Sequence, residues 1–317
     1  TQRGSMTMKG EVFGADTPFV TRLREAGAVV LGKTTTSEFG WKGVSHAPLT
    51  GITHNPWKKG FNAGASSAGA GVAAAAGYGP LHQGSDGAGS IRMPSHFCGI
   101  FGIKPSFGRV PSWPVGNSDQ VSHNGPMTRS VMDSALMLKT MAGPHHLDHY
   151  SLESPPEDYP GLLEKDLGGL RVAYSPDLGH ARVDPEVADL VAAGVTVFED
   201  MGCHVEQVGG DQLAFVRDGL EMIRFFWAVH ETANYGHLLE QWEDQLDPGL
   251  VACIKAGAGY TALDYMSMRA RKLAYMEAWH RFMDNYDLLL TPAVSVAAFP
   301  ADQLNPDHWP QHEWDWV

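Results

Sequence analysis

The chain has 317 residues, 43% of them hydrophobic and 19% charged, with a net charge of -13 at pH 7. That hydrophobic fraction fills an ordinary globular core, and the acidic balance argues against a surface that tracks nucleic-acid phosphates. No run approaches the ~18 apolar residues a membrane span needs, and Thr1 to Lys9 lacks the apolar core of a secretory signal. Cys98, Cys203 and Cys253 are odd in number and far apart, with no CxxC pair. They suggest neither a disulfide framework nor a zinc site, so a reducing, cytoplasmic setting is the default expectation.

In chain order, Asp16-Thr17-Pro18 reads as a helix start, Phe19 to Ala26 as its body and Gly27 as its stop. Ala28-Val29-Val30-Leu31 reads as a short buried strand, and a second helix is expected near Thr36. Pro48, Gly51, Asn55-Pro56 and Gly60 mark 48–62 as a loop. Ser66 to Gly77, with a hydroxyl start, an alanine body and a glycine end, reads as a buried helix that neighbours can approach closely. Leu81 to Ser85 reads as a strand, Asp86 to Ser90 as a glycine-rich turn, and Ile91 to Pro94 as the segment leading away. Further on, a helix is expected over 130–142, strands at 170–174 and 203–208 around a helix over 184–201, and a strand at 287–292. Residues 210–285 read as a helical insertion rich in aromatics, serving as helix core or as a substrate wall. The alternation of strands and helices implies an α/β fold.

The chemistry is sought where glycine crowds, between Gly60 and Gly108. Two serine-bearing segments lie there, Gly64-Ala65-Ser66-Ser67-Ala68-Gly69 and Gly84-Ser85-Asp86-Gly87-Ala88-Gly89-Ser90. In the second, small residues allow the amides of Gly87, Ala88, Gly89 and Ser90 to converge as an oxyanion hole, worth ~3–4 kcal/mol per essential donor. A structural turn or a phosphate-binding loop fits the same residue types.

Together with Ile91-Arg92-Met93-Pro94, Phe97 to Ser106, Leu31-Gly32-Lys33-Thr34 and Gly125 to Ser130, these segments resemble the amidase signature family. The resemblance covers most of the chain and implies a central mixed β-sheet covered by helices, in a single domain over 1–317 that lacks both ends. It implies Ser90 as the acylated nucleophile, Ser66 as a bridging serine held by a cis peptide, and a neutral lysine as the base. Ser67, Asp86 and Arg92 are then supporting residues that brace the loop. Ala65 and Ala88 stand where the family usually has glycine, which implies altered fit without lost chemistry. The family's lysine precedes the bridging serine by about seventy residues, by the resemblance. Lys9, Lys33, Lys42, Lys58 and Lys59 lack its context, so the base is expected upstream of Thr1 and this stretch alone is expected to be inactive. The implied substrate is a small-molecule amide, anilide or carbamate (urethane), with no cofactor, no metal, no nucleic acid and no membrane; a homodimer is left open. A glutaminase-like amidotransferase subunit and a catalytically incomplete scaffold are the alternatives.

Three rival patterns are present. Gly27 to Thr34 satisfies GxxxxGK[ST], but a helix precedes the first glycine and the expected strand lies between the glycines, the reverse of a phosphate loop. Gly64-Ala65-Ser66-Ser67-Ala68 imitates the nucleophile elbow of a Ser-His-Asp hydrolase, without the apolar strand that should precede it. His145-His146, His149, His308 and His312 could approach a metal, yet they lie in proline- and acid-rich stretches typical of solvated loops.

Overall fold

Among the described residues the strands form three sheets, a two-stranded and a three-stranded one that are antiparallel and a three-stranded one that is parallel. The computed structural model describes residues 1–117, 120–309 and 316. They cluster into two units, Thr1–Glu164 with Leu238–Val251 and Ala298–His308, and Lys165–His237 with Ala252–Ala297 and Trp309–Val317.

In the first unit, helix α1 (Pro18–Glu25) begins with its proline, whose missing N–H would have had no intrahelical partner. A short antiparallel pair follows, β1 (His46–Ala47) with β2 (Gly51–Ile52). Helix α2 (Ala68–Ala75) leads to strand β3 (His82–Asp86), helix α3 (Arg92–Cys98), strands β4 (Phe101–Gly102) and β5 (His123–Thr128), and helices α4 (Val131–Met141) and α5 (Tyr159–Leu162). Strand β5 lies between β3 and β4, pairing Gly84 with Gly125 and Phe101 with Thr128. Phe19, Val110, Met137, Leu138 and Met141 form the core between α1 and α4. Arg22 extends from α1 to donate to the carbonyls of Met141, Ala142 and Gly143, which the end of α4 leaves without helical partners. Helix α2 is almost bare of side chains, so α3 packs close: a Cβ on Gly71 would stand 3.1 Å from Pro94 Cβ and 3.2 Å from Cys98 Sγ.

In the second unit, strand β6 (Arg171–Tyr174) is followed by helix α6 (Pro185–Asp200) and strand β7 (His204–Gln207), a parallel crossover. Helix α7 (Asp218–Tyr235) comes next in the chain, then α8 (Leu239–Trp242), which belongs to the first unit, α9 (Pro248–Gly257), which begins in it, α10 (Ala262–Met283) of the second unit and strand β8 (Leu288–Leu290). Strand β8 pairs parallel with β6, completing the order β7-β6-β8. Met222, Phe225, Phe226 and Met268 are buried together with Tyr265 and Tyr275 packed against them, so these aromatics of the insertion are helix core. A Cβ on Gly257 would meet the Ala228 carbonyl at 2.1 Å, so the end of α9 lies directly on α7.

The α/β class and the helical run from Gly210 to Met283 match the expectations from sequence. Three local expectations fail. Ala28 to Leu31 is no strand: it pairs with no strand among the described residues, and Val29 and Leu31 are 82% and 80% exposed. β-branched residues favour extended backbone, but a strand also needs a partner to ladder with. The helix expected near Thr36 is a single 3-10 turn, Glu38–Gly40, broken by left-handed Phe39 and Gly40. Ile91 to Pro94 does not merely lead away, because Arg92 opens α3; Pro94 is tolerated in its first turn, where no helical N–H bond is lost.

Candidate active site

Ser66 and Ser90 both lie in the first unit and are 5% and 6% exposed. Ser66 precedes α2 and Ser90 ends the turn between β3 and α3. The Ala65–Ser66 peptide is cis, as the family likeness leads one to expect. The two segments touch at the backbone: the Ser67 N–H donates to the Ser90 carbonyl at 3.3 Å. The Ser67 hydroxyl donates to the Ser85 carbonyl at 3.2 Å and accepts from the Ser85 N–H at 3.1 Å, which pins the start of α2 to the end of β3. Neither the Ser66 nor the Ser90 hydroxyl is hydrogen-bonded among the described residues.

Asp86 organises the turn. Its fully buried carboxylate accepts from the N–H groups of Gly89 (2.8 Å), Ile91 (3.1 Å) and Arg92 (3.4 Å), and from Arg92 Nε (3.0 Å) and Nη2 (2.8 Å). These bonds include orphan amides at the start of α3, where a carboxylate is favoured. Burial opposes the charge, yet the Arg92 guanidinium and the Gly89 and Ile91 amides outweigh it and hold the carboxyl below the usual range.

The same geometry changes the expected oxyanion hole. The Gly89 N–H already points at Asp86, so it is engaged in bracing the turn. The N–H groups of Gly87, Ala88 and Ser90 have no partner among the described residues. Ala88 keeps a negative φ and tolerates its methyl, whereas Gly89 sits at φ 120, where a side chain would be strained. Ala65 is fully buried.

Sequence reasoning missed the neighbours of this turn. His123 Nδ1 lies 3.1 Å from the Asp86 carbonyl and 2.7 Å from that of Val121, while its Nε2 is 3.4 Å from Lys104 Nζ. Burial, with Arg92 adding to it, lowers the Lys104 ammonium. The signal was available in principle, since Lys104 stands in one of the family-like segments and His123 in the strand opposite Asp86. Gly40 was also missed: a Cβ there would stand 3.2 Å from Ser66 Oγ.

The phosphate-loop and metal-site patterns find no support among the described residues. No helix follows Lys33 and Thr34 before the Glu38–Gly40 turn, and a Cβ on Gly69 of α2 would stand 2.8 Å from Thr34 Cβ. No group of three or more His, Cys, Asp and Glu among the described residues could hold a metal, and His312 lies outside those residues. The rings of His145 and His146 lie against each other at 4.7 Å. No helix among the described residues is long and apolar enough to cross a membrane. Of the five lysines upstream of Ser66, Lys9, Lys33, Lys58 and Lys59 are exposed and Lys42 is buried.

Comparison with known proteins agrees with the sequence likeness. An acylamidase of Rhodococcus erythropolis is 38% identical over 313 residues, covering 96% of this chain and 64% of that protein. The A-type subunit of a glutamyl-tRNA(Gln) amidotransferase of Synechococcus sp. (strain RCC307) is 30% identical, over 90% of this chain and 63% of that protein. The chain thus spans less than two thirds of the length of these relatives. Among solved structures, a bacterial aryl acylamidase of the amidase signature family superposes with a TM-score of 0.83 at 26% identity, covering 90% of this chain and 60% of that one. A 6-aminohexanoate cyclic dimer hydrolase complexed with substrate gives 0.87 at 28% identity, covering 96% and 65%. Residues 1–315 match the family described as Amidase, and the chain belongs to the amidase signature family.

Proposed function

We propose that this chain carries the acyl-transfer centre of a hydrolase acting on carbon–nitrogen bonds, with Ser90 as nucleophile. Ser90 Oγ bonds to the substrate carbonyl carbon and passes its proton to Ser66, whose own proton moves on to a base. The carbonyl oxygen, now negative, is received by the free amides of Gly87 and Ala88, with that of Ser90. Collapse breaks the C–N bond as the leaving nitrogen takes up a proton, and water then releases the acid from the Ser90 ester. The family likeness assigns the base to a lysine upstream of these residues, and neither serine hydroxyl is bonded to a lysine here. Ser67, Asp86 and Arg92 act on the turn and not on the substrate.

One observation carries this reading: the two serine segments are joined main chain to main chain through Ser67 and Ser90, beside amides left without partners. The acylamidase relative favours an amide or anilide substrate, with carbamates (urethanes) as the adjacent class. A glutaminase-like role in an amidotransferase is the second reading, favoured by the likeness to the glutamyl-tRNA(Gln) amidotransferase. The test is labelling by a fluorophosphonate in the protein made from its complete reading frame. Ser90→Ala abolishes labelling and Ser66→Ala slows it strongly; labelling that survives Ser90→Ala removes Ser90 from the mechanism. A panel of anilides, primary amides and carbamates then separates the substrate classes, and a protein inert to all of them, glutamine included, is a scaffold.

A further inference from the structure

A second polar cluster lies in the same unit, assembled from residues far apart in sequence. Glu38 is fully buried, Lys42 is 3% exposed and Asp247 is 8% exposed. Asp247, in the residue before α9, bonds to both of the others. Its N–H donates to Glu38 Oε2 at 2.6 Å. Its Oδ2 pairs with Lys42 Nζ, which also lies 2.7 Å from His46 Nδ1. Its Oδ1 accepts from the Gly249 N–H at 3.0 Å, so it caps α9 as well. Trp41 lies on that first helical turn: a Cβ on Gly249 would meet its Cη2 at 2.1 Å.

Glu38 and Lys42 are the two ends of one turn, and both are fastened to Asp247. The turn between them contains two successive left-handed residues, Phe39 at φ 49 and Gly40 at φ 80. Left-handed backbone is costly for a bulky residue such as phenylalanine and persists only where the surroundings impose it. The tip of this turn is Gly40, the residue whose missing Cβ would stand 3.2 Å from Ser66 Oγ. Ionised groups this buried are poor sources of stability compared with apolar packing.

We propose that Asp247, through Glu38 and Lys42, is a clamp that holds the Gly40 turn against the Ser66 hydroxyl, making these three positioning residues for proton relay. The proposal rests on the Ser66–Ser90 reading above. Burial pushes the Glu38 carboxyl above the usual carboxylate range, against the Asp247 N–H and the Ser5 hydroxyl, which draw it down. Glu38 Oε2 accepts from the Asp247 N–H in either protonation state, so that end of the clamp does not depend on its charge, while the other end is the Lys42–Asp247 pair.

The test uses Lys42→Met, Lys42→Arg and Gly40→Ala in the protein made from its complete reading frame. Each is measured for the rate of fluorophosphonate labelling, for kcat and KM on an anilide, and for thermal midpoint. Lys42→Met lowers kcat and labelling by at least about tenfold with KM within about threefold, and Lys42→Arg restores part of the loss. Gly40→Ala strains the left-handed turn at φ 80 and crowds the hydroxyl, so it slows labelling and lowers the thermal midpoint together. A Lys42→Met protein that melts earlier but is labelled at the wild-type rate overturns the proposal, because its role would then be structural alone. If Lys42→Met does not fold, Asp247→Asn, which weakens the pair with Lys42 but keeps the N–H to Glu38, decides: labelling at the wild-type rate overturns the proposal, and slowed labelling with KM within about threefold supports it. Labelling that persists in Ser90→Ala defeats the underlying functional reading, a failure distinct from either outcome at Lys42 or Gly40.

Discussion

Asp86→Asn tests the bracing of the candidate active-site turn most directly. Asparagine keeps one carbonyl oxygen, which can still serve the Gly89 N–H and Arg92 Nη2, as Oδ1 does now. It places an NH2 where Oδ2 accepts from the Ile91 and Arg92 amides and from Arg92 Nε. The Ile91 amide belongs to a residue with no exposed surface and loses its acceptor outright, at about 1–3 kcal/mol. The 3.4 Å bond from the Arg92 amide is long and adds little. The guanidinium side chain is 45% exposed and recovers water, so its lost charge partner adds only about 1 kcal/mol. The expected total is about 2–4 kcal/mol, read from urea unfolding near neutral pH. The sign with pH follows from the depressed carboxyl. In the unfolded chain Asp titrates near its ordinary 3.8, and in the folded protein below it. The stabilisation is therefore fully present above 3.8 and is lost as pH falls through the lower folded value. The gap between wild type and Asp86→Asn should be constant around neutrality and shrink in acid. A gap under about 0.5 kcal/mol at neutral pH, or one that widens in acid, refutes the reasoning.

Two further predictions concern packing and thiol chemistry. Gly64 has φ 73, and a Cβ there would lie 2.6 Å from Pro94 N and 2.7 Å from Met93 C, both main-chain atoms. Gly64→Ala should cost about 3 kcal/mol or more and lower the soluble yield; a thermal midpoint within a degree or two of wild type would show that the Met93–Pro94 backbone can yield. Burial pushes the Cys98 thiol up to about 12, so in the folded protein it should resist alkylation at mildly alkaline pH and react once denaturant is added. Rapid modification of Cys98 in the native state, located by peptide mass mapping, would contradict that burial.

Helix ends and the glycine-rich turn were legible in the sequence because local residue chemistry decides them. Pro18, Pro185 and Ser130 start helices by rules that act within one turn, and the helices begin there. The small residues of 64–71 and 84–90 announced close backbone approach, and the fold sets Ser67 against Ser85 and Ser90. Whether a donor is free was not local. Gly89 and Ala88 look equally suited to hold an oxyanion until the fold turns Asp86 inward and takes the Gly89 amide.

The amino-acid order by itself determined the α/β class, the family and the two serine segments, since periodicity, caps and motif residues act over short spans. Tertiary structure alone decided what depends on a distant partner. Ala28 to Leu31 has strand residues but no described strand to pair with, and Lys42 gains its meaning from Asp247, 205 positions away. Hydrogen bonds and ion pairs are satisfied in space, and a linear reading cannot tell which remote carboxylate will arrive beside a given ammonium.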